Sequence, residues 1–329
     1  MRVTQTEEIK TRNGAKSKKV RSILLKIIGA ILLAIVIFLG IVYTVNVISN
    51  HSEQKRLESY GQHVAVDGKN MNVLIQGRGE ETVVLLPGLG TAAPALDFKP
   101  LIEELSPFYK VVVVEPFGYG LSDLTEKERT TENIVSEIHD ALQGLNIERY
   151  ILMGHSISGI YGLDYVNKYE NEVSAFVGLD SSVPTISERK IESSEIDTVK
   201  LLKKSGLSRL VMKLGTDPLA TLPYDDKTKE QMRILMHKNM YNPNLLNEVE
   251  HMYSNFKAAE SMTFPKNLPV IFFIQANHPV TDRWVPEHEA QVKNSVHGKV
   301  MRFEADHYIH RTKAQEIVEN FRAFMKEIK

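Results

Sequence analysis

The sequence predicts an α/β fold: a mostly parallel sheet flanked by helices, interrupted by a helical cap insertion and preceded by an N-terminal transmembrane helix. Three observations carry this reading. Short apolar runs, among them residues 82–86 (TVVLL) and 110–114 (KVVVV), alternate with stretches of helical spacing, as in strands buried on both faces. Between about residues 183 and 263 the strand signal vanishes and only helical periodicity remains. Residues 27–48 (IIGAILLAIVIFLGIVYTVNVI) carry no charge at all.

The uncharged run fixes the N-terminal organisation. As a helix its 22 residues reach about 33 Å, enough for a hydrocarbon core of about 30 Å. A buried core helix would not stay apolar around its whole circumference. A cleaved signal peptide would have a shorter apolar region ending in a small-x-small site, and residues 43–50 (YTVNVISN) offer none. Residues 1–26 carry Arg2, Lys10, Arg12, Lys16, Lys18, Lys19, Arg21 and Lys26 against Glu7 and Glu8. Positive charge stays inside. The expectation is therefore a single-pass cell-membrane protein: a basic cytoplasmic segment (1–26), a signal-anchor helix (27–48), a polar linker (49–60) and an extracytoplasmic domain (61–329).

Within that domain each element has its own signal. Residues 62–75 alternate around Asp67-Gly68, a hairpin with a tight turn. After the run at 82–86 comes Pro87-Gly88-Leu89-Gly90, then helical spacing over 96–105. The run at 110–114 is closed by Gly118 and Gly120, and 131–145 reads as an amphipathic helix with Thr131 as its N-cap. Strands follow at 150–153 and 173–179 around a helix at 157–169, and further strands at 270–274 and 299–303 each precede a helix. In the insertion, 198–214, 227–240 and 245–262 have helical spacing.

Composition excludes several chemistries. Hydrophobic content of 43% and charged content of 25% suit one large domain with a sizeable core. A net charge of −1 gives no reason to expect a nucleic-acid partner, which would usually need a basic face. With no cysteine, disulfides, thiolate metal sites and a Cys nucleophile are impossible. No cofactor and no metal site is expected.

The chemistry centres on residues 154–159, Gly-His-Ser-Ile-Ser-Gly, which follow a strand and open a helix. That context is a nucleophile elbow, a sharp turn that lifts a Ser hydroxyl above the sheet. Ser156 is the candidate nucleophile. The usual G-x-S-x-G has Gly where Ser158 stands, but Ser is small enough for the crowded turn.

On these residues, about 60–329 resembles the α/β-hydrolase superfamily. Gly68 follows a first strand as in the family's opening hairpin, and residues 87–90 (PGLG) resemble its HGxG loop with Pro87 in place of His. Residues 115–122 (EPFGYGLS) resemble its D-x-x-G-x-G-x-S loop with Glu115 in place of Asp. The resemblance implies a base after the last strand, where His307 stands; His310, one helical turn on, reads as a structural or surface residue. It implies an acid after the strand before, where Asp282 begins a D-x-x-V-P segment (282–286). Some members instead carry the acid at the end of the preceding strand, here Asp180. Asp282 is the leading expectation, Asp180 the alternative, and Asp306, beside His307, ranks last. The resemblance further implies an oxyanion hole from the backbone N–H groups of Leu89 and Ile157.

The reading is a membrane-anchored esterase- or lipase-like serine hydrolase. Its substrate is a small-molecule or lipid carboxylic ester, or a related thioester or amide. A proline-iminopeptidase-like aminopeptidase and a non-catalytic ligand-binding or signalling protein remain open, because a fold does not dictate its function. Asp-nucleophile members, such as dehalogenases and epoxide hydrolases, are disfavoured by Ser at position 156.

Overall fold

The structure, a computed structural model, describes residues 2–186, 189–279 and 281–328, with side chains from Lys18 onward. It divides into two units: residues up to Ser52 together with Leu201–Thr216, and Glu53–Lys200 together with Asp217–Lys329.

The first unit holds most of α1 (Arg2–Arg56), which runs without a break. Its portion Lys18–Arg56 contains a window of mean hydropathy 2.9 with none of it buried, long and apolar enough to cross a membrane. The polar linker expected at 49–60 is instead helical as far as Arg56. Nothing in 49–56 breaks a helix, since the segment contains neither Gly nor Pro.

The second unit contains an eight-stranded sheet. In chain order its first elements are β1 (Gln62–Val66), β2 (Lys69–Gln76), β3 (Thr82–Leu86), α2 (Pro94–Asp97), α3 (Lys99–Leu105), β4 (Lys110–Glu115), α4 (Thr131–Gly144), β5 (Tyr150–His155), α5 (Ser158–Lys168) and β6 (Val173–Leu179). The insertion follows: α6 (Ser193–Ser205), α7 (Leu207–Leu214), α8 (Asp226–Asn239) and α9 (Pro243–Ala259). The chain then closes with β7 (Val270–Gln275), α10 (Trp284–Val292), β8 (Gly298–Phe303), α11 (Ile309–Thr312) and α12 (Ala314–Glu327). The sheet order is β1-β2-β4-β3-β5-β6-β7-β8, antiparallel at β1–β2 and β2–β4 and parallel from β4 onward.

Alternation along the central strands builds two cores. Val84, Leu86, Val112, Val114 and Leu152 face the side covered by α4 and α5. Val83, Leu85, Val111, Val113, Ile151 and Met153 face the side covered by α3 and α12. Strands apolar on both faces require this double cover, so the predicted α/β class is the observed one.

Three local expectations change. The helix predicted over 198–214 is broken at Gly206, whose φ of +83° is left-handed and separates α6 from α7. The helical spacing at 96–105 is divided between α2 and α3 at Phe98. The N-cap of α4 is Thr130 rather than Thr131: its side chain accepts from the Asn133 N–H at 3.3 Å.

Gly178, on β6 just before the site, has no room for a side chain. A Cβ there would stand 2.2 Å from Phe272 Cδ1 and 2.3 Å from Ser181 Oγ. Both neighbours are fully buried, so Gly178→Ala should lower unfolding free energy by about 1–3 kcal/mol through overpacking. Equilibrium denaturant unfolding of residues 53–329 checks this. A midpoint unchanged from wild type would mean the β6–β7 packing is looser than the contacts indicate.

Candidate active site

β5 and β6 are paired in parallel register through His155 opposite Leu179. The next residue on each strand is therefore Ser156 on one and Asp180 on the other. Both have positive φ, +53° and +43°. Non-glycine residues held in the left-handed region are uncommon and concentrate at functional sites. The Ser156 turn is closed by the Ser182 N–H, which donates to Ser156 O at 2.7 Å, and by the Gly159 N–H at 2.9 Å. Ser158 is buried, and its hydroxyl donates to Pro87 O at 2.5 Å, tying the elbow to the PGLG loop. Gly88 is needed there: a Cβ would stand 2.9 Å from Ser156 Cβ and 2.7 Å from His155 Nδ1.

His307 lies four residues beyond the end of β8 and bridges the two strand ends. Its Nε2 is 2.9 Å from Ser156 Oγ and its Nδ1 is 2.7 Å from Asp180 Oδ2. Asp180 is fully buried and takes three further donors: Gln275 N–H at 2.9 Å, Gln275 Nε2 at 2.7 Å and Trp284 Nε1 at 2.9 Å. These donors satisfy the oxygens of the buried side chain, which would otherwise be left without partners.

The expectation that Asp282 faces His307 is corrected by this geometry. Asp282 is exposed and lines an open groove of about 620 Å³ with Asn277, His278 and Trp284. The reason is register. β6 pairs directly with β5, whereas Asp282 comes seven residues after β7 has ended, one strand further away. The 282–286 segment does enter the site, but through the Trp284 indole that donates to Asp180. Asp306 is exposed and accepts from the Tyr308 N–H at 3.0 Å. His310 is fully buried, not at the surface, and sits 2.8 Å from Asp97 Oδ2. Burial alone would raise the Asp97 pKa, but the hydrogen bond and charge of His310, joined by Arg311, outweigh it and hold it below the usual range.

The backbone donors expected for an oxyanion are carried on neighbouring elements. Ile157 immediately follows Ser156 at the N-terminus of α5, where the helix dipole favours negative charge. Leu89 follows Gly88, which is packed against Ser156.

Residues that escaped the sequence reading hold this arrangement. His155 is buried, and its Nε2 donates to His307 O at 3.0 Å. Burial, with His310 and His307 as neighbours, drives its pKa well down, so it stays neutral. Glu248 on α9 accepts from Tyr119 OH at 2.7 Å and Tyr161 OH at 2.6 Å, and Tyr119 OH in turn faces the Gly90 N–H at 3.4 Å. Burial raises the Glu248 pKa against the pull of Tyr161 and its neighbours. The cap is thus latched onto the PGLG loop. Glu115, also buried, accepts from Leu121 N–H, Asn72 Nδ2, Ala95 N–H and Tyr60 OH at 2.8–3.1 Å. Gly120 exists for this contact, since a Cβ there would fall 1.8 Å from Glu115 Oε2. Beside Gly90 and Tyr308 a cavity of about 270 Å³ is lined by Leu219, Met232, Met236 and Met240 of the insertion.

Comparison with known proteins agrees with this frame. Residues 81–285 match the model of the alpha/beta hydrolase fold family. The chain is 30% identical over 255 residues to the uncharacterized protein YbdG of Bacillus subtilis, covering 75% of this chain and 78% of that one. It is 29% identical over 118 residues to the serine hydrolase BPHL of Homo sapiens, covering 35% of this chain and 40% of that one. Among solved structures, the enol-lactonase of Burkholderia xenovorans superposes with a TM-score of 0.56 at 16% identity, over 80% of this chain and 100% of its own. The chain belongs to the α/β-hydrolase family, and it is a hydrolase of that fold.

The two aspartates can be told apart directly. Asp180→Asn should keep the fold but favour the wrong imidazole tautomer, with kcat lower by about 10²–10⁴-fold. Asp282→Asn should leave kcat within a few-fold of wild type. Steady-state assays of both variants decide, and the opposite ranking would return the acid to position 282.

Proposed function

We propose that this chain is a membrane-anchored serine hydrolase that cleaves a carboxylic ester, or a related thioester or amide, through an acyl-enzyme on Ser156. The observation that carries this reading is the unbroken chain from Ser156 Oγ through His307 to buried Asp180, at 2.9 and 2.7 Å. His307 Nε2 takes the hydroxyl proton as Oγ attacks the carbonyl carbon, and Asp180 orients the ring and stabilises the imidazolium. The N–H groups of Leu89 and Ile157 receive the oxyanion. His307 then returns the proton to the leaving group, and water, activated by the same ring, releases the acid. The cavity beside Gly90, lined by Leu219 and three methionines together with Asp97 and Arg311, supports a largely apolar acyl or leaving group. In this reading residues 27–48 span the membrane, with the basic segment in the cytoplasm and the hydrolase domain outside.

A fluorophosphonate probe tests the nucleophile. Wild-type protein should be labelled at Ser156, and Ser156→Ala should lose labelling together with about 10⁴-fold or more of its esterase activity. Activity of the variant within tenfold of wild type would sink the assignment, and an unlabelled, inactive wild type would favour the ligand-binding reading. For orientation, protease added outside intact cells should digest the hydrolase domain; full protection with sealed membranes would reverse the topology.

A further inference from the structure

The first unit contains more than the apolar helix. Residues 201–216, drawn from the middle of the insertion, pack against α1. Gly206 makes the approach: a Cβ there would meet Asn46 Cβ at 2.6 Å and Val42 O at 3.1 Å. Arg209, 5% exposed, donates through Nε to Asn46 Oδ1 at 2.9 Å and through Nη2 to Asn50 Oδ1 at 2.5 Å. Asn46 and Asn50 flank Ile48, where the uncharged run ends. Val42 lies six residues earlier, about 9 Å deeper along the helix.

α7 therefore begins alongside the end of the apolar run, and its own face is apolar. Leu207, Leu210, Val211 and Leu214 fall at i, i+3, i+4 and i+7, a single stripe. Val211 is 67% exposed and Leu214 79%, with Leu201 at 68% nearby. Arg209 points away from the stripe towards the two asparagines, and Lys204 and Lys213 are exposed at its flanks. An eight-residue helix spends such a stripe in water at a cost unless something covers it.

We infer that α7 is an interfacial helix: its Leu207/Leu210/Val211/Leu214 stripe is seated in the headgroup–acyl boundary of the bilayer that residues 27–48 cross. The inference rests on the proposed anchoring. Interfacial helices bury their apolar face about 5–10 Å into this boundary, which matches the depth at which Gly206 meets α1. Lysines at the flanks reach back to the phosphates by extending their stems. Membrane contact thereby belongs to the insertion as well as to the anchor. Only two residues separate Thr216 from Leu219, which lines the cavity beside Gly90. The substrate class that fits is a lipophilic ester drawn from the membrane.

The chain has no cysteine, so single-cysteine labelling is clean. Full-length Leu214→Cys, Leu33→Cys and Val296→Cys, each carrying an environment-sensitive fluorophore, would be reconstituted into phosphatidylcholine–phosphatidylglycerol vesicles. Spin labels would be placed on the lipids either near the headgroup or at the chain end. The Leu214 probe should emit to the blue of the Val296 probe and be quenched more by the shallow label. The Leu33 probe should be quenched more by the deep one. A water-like Leu214 probe beside a quenched Leu33 probe would overturn the inference and leave the anchor standing. So would a blue-shifted Leu214 probe quenched by neither label, which means a protein surface covers the stripe. An unquenched Leu33 probe would remove the anchor and this inference together.

Discussion

The site depends on the pairing of β5 with β6. Parallel register through His155 and Leu179 delivers Ser156 and Asp180 at the same height on adjacent strands. Each strand then turns sharply in left-handed backbone, which lifts its side chain out of the plane of the sheet. His307, arriving from β8, needs only to span the gap, and both ring nitrogens find partners within 2.9 Å. Such preorganisation costs strain at two residues. The apolar strands Ile151–Met153 and Ala175–Leu179, buried to the last residue, hold that strain in place.

Around this centre the polar groups work as clamps. Buried Glu115 collects four donors, from Tyr60, Asn72, Ala95 and Leu121, and buried Glu248 of the cap takes the hydroxyls of Tyr119 and Tyr161. Losing one partner would leave a buried carboxyl oxygen short of a donor, a cost that favours the observed positions of these segments. Gly120, which admits the Glu115 contact, and Gly88, which admits the Ser156 elbow, are read from the sequence as loop residues. Their true constraint is the atom that occupies the space of a missing Cβ.

The fold was legible because strands buried on both faces leave no choice of secondary structure or layer. Ser156 was legible for the same kind of reason: strand, small residues, Ser and helix form one continuous local signal. His307 needed only its position after the last strand. The acid was not legible, because two aspartates each follow a strand and chain distance does not say which strand neighbours β5. That is decided by sheet order, a property of long-range pairing. The clamps were invisible for a related reason: Glu248 and Tyr119 are 129 residues apart. Gly206 was overlooked because the helical spacing on both sides of it is good, and only the φ of +83° reveals the break.

Holding the acid on β6 has a consequence for how this protein can diversify. Gln275, the last residue of β7, and Trp284, the first of α10, both donate to the acid. Between these pins Ala276, Asn277, His278, Pro279, Thr281 and Asp282 line the open groove. Changes of charge at exposed Asp282 alter the outline of the open groove, whereas His278, stacked on Trp284 at 4.5 Å, is tied to one of the acid's own donors. The exposed edge of the groove can therefore vary with less consequence for the buried acid than the residues packed on Trp284.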